Sequence, residues 1–315
     1  MEVFRGTKTI DRPLVRPVLT VGNFDGIHLG HRAILETVVE RARALSGQAA
    51  VLTFEPHPRK VLQSRKAPRL LTTLEQKLEL LEAAGTEVAI VEPFDLDFAK
   101  MAADVFIGDV LQERIAPLEV YVGYDFHFGR DREGSMRMLT EIGPQLGFAV
   151  TIIPEVRVDA GDVNSTRIRE LLGGAQLEKA NAMLGRSYSV RGIVVVGEQR
   201  GRELGFPTAN LAAENEVLPS AGVYAGRARL MDSGDPEAGT SWVAVMNVGT
   251  RPTFEEAGRV VAEAHLVNFD GDLYGRRIEV FFEHHLRAER RFDGVQALRE
   301  QIRADVAEAQ RRVSR

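Results

Sequence analysis

Two histidines three residues apart, His28 and His31, close the run Val21-Gly-Asn-Phe-Asp-Gly-Ile-His-Leu-Gly-His31, between an apolar strand-like segment and apolar residues at helical spacing. Such a pair can ligate a metal, fill a core or donate hydrogen bonds to a phosphate. A metal would want a third ligand, which histidines at i and i+3 do not supply alone. Gly22 and Gly26 let the backbone approach an anion closely, and a helix opening after Gly30 offers amides and the positive end of its dipole. Both imidazoles can then face one site and stabilise charge developing on a phosphate. The phosphate assignment is the stronger one. The run contains no Gly-Lys-Ser/Thr loop and lacks dinucleotide-fingerprint spacing.

A second segment, Asn164-Ser-Thr-Arg-Ile-Arg169, opens a helix that runs through Leu172 and stops at Gly173-Gly174, with Ser165 or Thr166 as N-cap. Arg167 and Arg169 then lie in the first turn, where cations oppose the dipole. Either solvent screens them, or a polyphosphate sits between dipole and guanidinium; the second account joins this segment to the histidine site. Further along, Gly201 to Leu211 forms a loop in which Thr208 and Asn210 offer hard oxygen atoms suited to magnesium, although a simple Asx turn accounts for them equally well. Glu263 is an acid inside the apolar run Val260–Phe269. It acts as a general base, pairs with an arginine or lies on an exposed strand face.

These groups need elements to position them. Up to about residue 184, strand-like runs (Val18–Val21, Ala50–Phe54, Val88–Val91, Val120–Val122, Ala149–Ile153) alternate with helical patterns such as Leu74–Ala84 and Ala102–Ile115. That alternation predicts a doubly wound parallel sheet, whose ligands sit beyond the carboxyl ends of its strands. After Arg186 the strand-like runs Tyr188–Val196, Val223–Met231, Trp242–Val248, Val260–Phe269 and Arg277–Phe282 follow without helices, which predicts an antiparallel barrel or sandwich. A terminal helix carries Val295, Leu298, Ile302 and Val306 on one stripe. The change of rhythm divides the chain into domains 1–184 and 185–315. The 315 residues, 44% hydrophobic and 27% charged, suit a two-domain globular protein. A net charge of -5 argues against nucleic acid, and the absence of cysteine excludes disulfides and thiol chemistry and suits a cytoplasmic protein. The first residues lack a signal-peptide core, and no run is long enough to span a bilayer.

His28-Leu-Gly-His31 resembles the HIGH signature of nucleotidyltransferases and class I aminoacyl-tRNA synthetases, which act at the alpha-phosphate of a nucleoside triphosphate. The sequence has no Lys-Met-Ser-Lys-Ser loop to favour a synthetase. Taken together, Gly22–His31, Thr53–Pro58, Gly123–Gly129, Asn164–Arg169, Gly205–Asn210, Asn247–Thr253, Glu263–Phe269 and Asp272–Gly275 resemble the motifs of the bacterial bifunctional riboflavin kinase/FMN adenylyltransferases, or FAD synthetases. Asn164 stands where that family has serine. The resemblance implies a C-terminal barrel that transfers the gamma-phosphoryl group of ATP to riboflavin, giving FMN and ADP. Gly205, Thr208 and Asn210 would bind the nucleotide, Thr208 and Asn210 magnesium, and Glu263 would be the base. It implies an N-terminal nucleotidyltransferase domain of HxGH type that joins FMN to the AMP part of ATP, releasing pyrophosphate and FAD. There His28 and His31 would be catalytic. Gly22, Asn23, Phe24, Asp25, Asp125, Ser165, Thr166 and Arg169 would bind the nucleotide, and Pro56, His57, Pro58 and Phe128 the flavin. No nucleic acid or membrane partner is implied, and a homo-oligomer is left open.

Overall fold

The computed structural model describes residues 1–158, 161–197, 201, 205–232, 237–252 and 257–313. Of the segments singled out above, Arg202 to Leu204 of the 201–211 loop and Thr253 of the Asn247–Thr253 motif lie outside the described residues. The chain divides into two compact units, Met1–Ser165 and Thr166–Arg315.

The first unit contains strands β1 (Glu2–Phe4), β2 (Val18–Val21), β3 (Ala49–Glu55), β4 (Val88–Pro93), β5 (Glu119–Gly123) and β6 (Ala149–Ile153) in one sheet of order β1-β4-β3-β2-β5-β6. Every neighbouring pair is parallel. The central strands are apolar on both faces because helices cover both, and β2 is buried throughout. Helices α1 (Leu29–Ala44), α2 (Pro58–Leu62), α3 (Leu74–Ala83), α4 (Leu96–Ala99), α5 (Ala103–Val105, continued as a π-helix over Phe106–Ile115) and α6 (Met136–Ile142) make the connections. Helix α1 buries Ile34, Leu35, Val38, Val39 and Ala42, as its 3.6-residue period requires. The chain winds outward from β2 through β3 to β4 and then returns to β5 on the other side of β2. The switch point therefore lies between β2 and β5, where a doubly wound sheet opens a ligand crevice. A two-stranded ribbon, β7 (Arg157–Val158) with β8 (Gly161–Asp162), precedes the second unit. The edge strand β1 has no counterpart among the strands expected from sequence, being only three residues long.

Helix α7 (Ser165–Gly173) starts at the last residue of the first unit and carries the chain into the second, where α8 (Leu177–Leu184) follows. Strands β9 (Tyr188–Val195), β10 (Ala209–Ala213), β11 (Gly222–Leu230), β12 (Ser241–Pro252), β13 (Ala257–Leu266) and β14 (Arg277–Arg287) then close a barrel of order β10-β13-β12-β11-β14-β9. All its pairs are antiparallel. Alternate residues point inward: Val190 and Val194, Tyr224 and Ala228, Ala244 and Met246, Ala262 and Ala264, Val280 and Phe282, all buried. Strand β10 was absent from the sequence expectation because Ala209-Asn-Leu-Ala-Ala213 carries little β-branched or aromatic signal.

Helix α9 (Val295–Val313) packs over the outside of the barrel with Ala309 and Val313 against Ala225. Of the expected stripe, Leu298, Ile302 and Val306 are half-buried and Val295 is exposed; Asp305, Ala309 and Val313 are the buried residues of the helix, and Arg287 neutralises Asp305 at 2.7 Å. Among the described residues no helix is long and apolar enough to cross a membrane.

Candidate active sites

In the first unit the residues after β2 form a tight loop into α1. Phe24 and Ile27 adopt left-handed backbone conformations at φ 50° and 37°, as does Gly26 at 82°. Non-glycine residues in that region cost on the order of 1 kcal/mol each. Burial offsets it: the Phe24 and Ile27 side chains join Leu35, Val51 and Leu81 in a core cluster, worth about 2 kcal/mol apiece. A side chain at Gly26 would meet Leu71 at 2.7 Å, so the loop also needs glycine there for space.

Asp25 is the loop's polar anchor. Its carboxylate, 3% exposed, accepts hydrogen bonds from the amides of Leu71 at 2.9 Å and Thr72 at 3.3 Å. Those amides are presented by the turn into α3, which a Thr73–Gln76 capping box fixes. Lys77 on α3 is buried nearby; burial drives its pKa down, while the charges of Glu55 and Asp25 oppose the shift. Phe24 and Asp25, expected at the nucleotide, thus turn their side chains into the protein and shape the site through the backbone between them.

His28 is the N-cap of α1, a position usually held by Ser, Thr, Asp or Asn. Its Nδ1 accepts from the His31 amide at 3.3 Å. An accepting Nδ1 puts the proton of the neutral ring on Nε2, so Nε2–H is a donor. The His28 and His31 rings stack with centroids 3.7 Å apart and planes at 17°, and Phe24 packs against His31 at 5.0 Å. The helix adds the amides of Leu29 and Gly30, which have no carbonyl in the preceding turn. Two imidazoles and a helix N-terminus thus converge at the switch point, an arrangement fitted to an anion.

Around this centre, Gly22 is half-buried, and the exposed Asn23 receives the Thr53 hydroxyl on its carbonyl at 3.2 Å. Asp125 is exposed just after β5. The Ser165 hydroxyl donates to the Asp25 carbonyl at 2.9 Å. Helix α7 runs Ser165–Gly173, so Ser165 is its first residue rather than a cap before it. Thr166 is exposed and Arg169 half-buried on α7 in the second unit, and Arg167 pairs with Glu170 at 3.1 Å rather than standing as an isolated cation.

The loop after β3 places the exposed Pro56 beside His57, whose ring is buried and caps α2 by accepting from the Arg59 amide at 3.1 Å. Pro58 starts that helix half-buried. Phe128 is also buried, and the half-buried Phe126 stacks on it at 5.5 Å and 19°. They end a chain of aromatic contacts that runs from Phe54 through Phe98 and Phe106. Phe126 is the aromatic ring nearer solvent, and alternation about the Gly123–Gly129 segment could not distinguish it from Phe128.

In the barrel the site is assembled by register. Asn210 on β10 stands opposite Glu263 on β13, and Glu263 stands opposite Asn247 on β12. Directly opposed residues share a face. Ala262 and Ala264 point inward, so this row lies on the outer face, where Asn210 is 6% exposed and Glu263 half-buried. Sequence reasoning left Asn247 without a role, since only strand pairing brings it to Glu263. A side chain at Gly197 would collide with the Asn210 amide, so glycine makes the cradle in which that amide lies. Thr208 is half-buried just before β10, and Gly205 is exposed at φ 83°. A cavity of about 450 Å³ opens beside Thr208, lined by Pro207, Thr208, Phe269, Tyr274 and the inward-facing Val194 and Ala264 rather than by the outer-face Asn210 and Glu263. Its volume suits a nucleotide-sized ligand. Among the described residues no three His, Asp or Glu side chains gather as a metal site. The donors present are instead a hydroxyl, an amide oxygen and one carboxylate, which fit magnesium that keeps water and phosphate oxygens as its other ligands.

A separate buried network closes the barrel wall. Glu279, 3% exposed, bonds Arg191 at 3.2 Å, Arg229 at 2.6 Å and the Ser189 hydroxyl at 2.8 Å. Burial pushes its carboxyl up, but the two guanidiniums and the hydroxyl outweigh that and hold it below the usual range.

The FAD synthetase family matches residues 12–167, and the Riboflavin kinase family matches residues 184–313. The bifunctional riboflavin kinase/FMN adenylyltransferase of Haemophilus influenzae is 38% identical over 98% of both chains. The protein of the same name from Bacillus subtilis is 35% identical over 93% of this chain and 92% of its own. A crystal structure from Streptococcus pneumoniae, described as a macrolide-efflux protein, has TM-score 0.85 at 27% identity and covers 98% of both chains. The histidine site thus falls within the first matched segment and the Asn210–Glu263–Asn247 row within the second, and the chain belongs to the bifunctional riboflavin kinase/FMN adenylyltransferase family.

Proposed function

We infer that this chain makes FAD from riboflavin in two ATP-dependent steps, riboflavin kinase in the barrel and FMN adenylyltransferase in the parallel-sheet unit. One observation carries the residue assignments: each unit holds its own polar constellation, stacked histidines at a helix N-terminus in one and a carboxylate between two asparagines in the other.

In the kinase step Glu263 takes the proton from the 5'-hydroxyl of riboflavin as its oxygen attacks the gamma-phosphorus of ATP, and ADP leaves. Thr208 and Asn210 would hold magnesium and the nucleotide phosphates, and the ion would neutralise charge on those phosphates. Asn247 flanks Glu263 and orients its carboxylate, and Gly205 lets the backbone approach the phosphates.

In the second step a phosphate oxygen of FMN attacks the alpha-phosphorus of ATP. A phosphoanhydride bond forms, the alpha–beta bond breaks and pyrophosphate departs. His28, through Nε2–H, and His31 donate to the oxygens on which charge accumulates. Asn23, Asp125 and Ser165 border the nucleotide, and Gly22, Phe24 and Asp25 set the loop's shape. Thr166 and Arg169 keep the anion-binding role that the resemblance implies. Pro56, Pro58 and Phe126 offer the flavin ring its apolar surface, backed by His57 and Phe128.

The boundary between the two activities is placed at residues 184 and 185, with a cytoplasmic location. Incubation with riboflavin, ATP and magnesium, followed by chromatography, is expected to give FMN and then FAD. Absence of both products would overturn the assignment.

A further inference from the structure

His265 lies beside the kinase row and has no task in the chemistry above. It follows Glu263 by two residues on β13, so strand alternation sends both side chains from the outer face. Its Nδ1 is 2.8 Å from the carbonyl oxygen of Pro207. Its ring meets Phe206 edge-on, with centroids 5.6 Å apart and planes at 83°. A carbonyl oxygen only accepts, so the proton of this bond resides on Nδ1, which sets the tautomer of the neutral ring.

The chain needs this contact at this point. Strand β10 pairs with β13 only from Ala209, opposite Ala264. Extending the ladder by one residue would set Thr208 against His265, but the preceding proline has no N–H to donate and the chain leaves the sheet. The Pro207 carbonyl then bonds an imidazole instead of a backbone amide. Thr208 is consequently bracketed, with Asn210 held opposite Glu263 on one side and Pro207 tied to His265 on the other.

We propose that His265 is a positioning residue for phosphoryl transfer: its Nδ1–H clamps the Pro207 carbonyl and so fixes Thr208 in the nucleotide site. The proposal rests on the assignment of Thr208 to the kinase nucleotide, and His265 acts through Thr208 rather than on the substrate. Three full-chain variants test it. His265→Ala removes the donor, His265→Asn keeps an N–H near the Nδ1 position, and His265→Gln carries one toward the Nε2 position.

In FMN formation, His265→Ala is expected to raise KM for ATP roughly tenfold while KM for riboflavin stays within about twofold, the scale expected when a binding group is misplaced. His265→Asn should recover most of the loss and His265→Gln should not. Conversion of supplied FMN to FAD and the melting temperature should be unchanged in all three. Unaltered kinetics in His265→Ala, equal losses in the Asn and Gln variants, or a parallel rise in both KM values with a lower melting temperature would overturn the clamp. A wild-type chain that forms no FMN would instead overturn the kinase assignment beneath it.

Discussion

The two units deliver functional groups in opposite ways. In the parallel-sheet unit the proposed chemistry runs along the chain: β2, a strained loop and the head of α1 present His28 and His31 within one continuous segment. In the barrel it runs across the chain, since Asn210, Glu263 and Asn247 come from three strands and meet only through register. A loop at a helix N-terminus supplies amides and a dipole and can wrap an anion, at the cost of unfavourable backbone conformations that buried contacts must offset. A barrel wall supplies rigidity, because moving one member of the row would shift every pair on its strand.

The largest effects should come from crossing the two sites. Glu263→Gln removes the proposed base and is expected to lower FMN formation by about 10² to 10⁴-fold, while FMN supplied from outside is still converted to FAD. His28→Ala removes the Nε2–H donor and the cap together. FAD formation should fall by roughly 10² to 10³-fold as FMN accumulates. Chromatography of both products from both variants checks this. If either substitution abolished both reactions in a folded protein, the separation of sites would fail.

A smaller difference should appear in acid. The folded Glu279 carboxyl is held below its ordinary value, so the barrel gains stability from its ionised form above the unfolded pKa. That gain should disappear as pH falls from the ordinary carboxylate range through the folded value. Glu279→Gln leaves Arg191 and Arg229 without their buried partner and is expected to destabilise the barrel at neutral pH by about 3 kcal/mol. Melting curves from pH 7 downward should show a shallower acid limb for the variant. An acid limb identical to that of wild type would remove Glu279 from the account.

The same contrast explains what was legible in the sequence. The parallel sheet was readable because its buried strands are short continuous apolar runs between helical patterns, as at Val18–Val21 and α1. The histidine site was readable because its parts are adjacent in the chain. The fate of individual side chains was not: Phe24, Asp25 and Phe128 are buried because the loop turns them inward, which depends on contacts with Leu71, Thr72 and Phe106 far along the sequence. In the barrel, Glu263 stood out as an acid in an apolar strand, yet Asn247 and His265 had no signal of their own. Strand β10 escaped because alanine carries little strand preference, and only pairing with β9 and β13 holds it in place.

The smallest expected effect probes how firmly the histidine loop is held. Ser165 donates to the Asp25 carbonyl from the start of α7, while the Asp25 side chain is independently anchored to the turn before α3. Deleting the hydroxyl in Ser165→Ala removes one donor from the carbonyl of the buried Asp25, so the loss should be about 1 kcal/mol, at the low end for a buried acceptor. The loop would retain its Leu71 and Thr72 bonds. KM for ATP in FAD formation should therefore rise only a few fold, with FMN formation unchanged and Ser165→Thr close to wild type. A loss as large as that of His28→Ala, not restored by threonine, would mean that Ser165 meets the nucleotide itself. In that case a group from a distant segment would matter to the first reaction as much as the histidines do, and the contrast with the barrel would be one of degree.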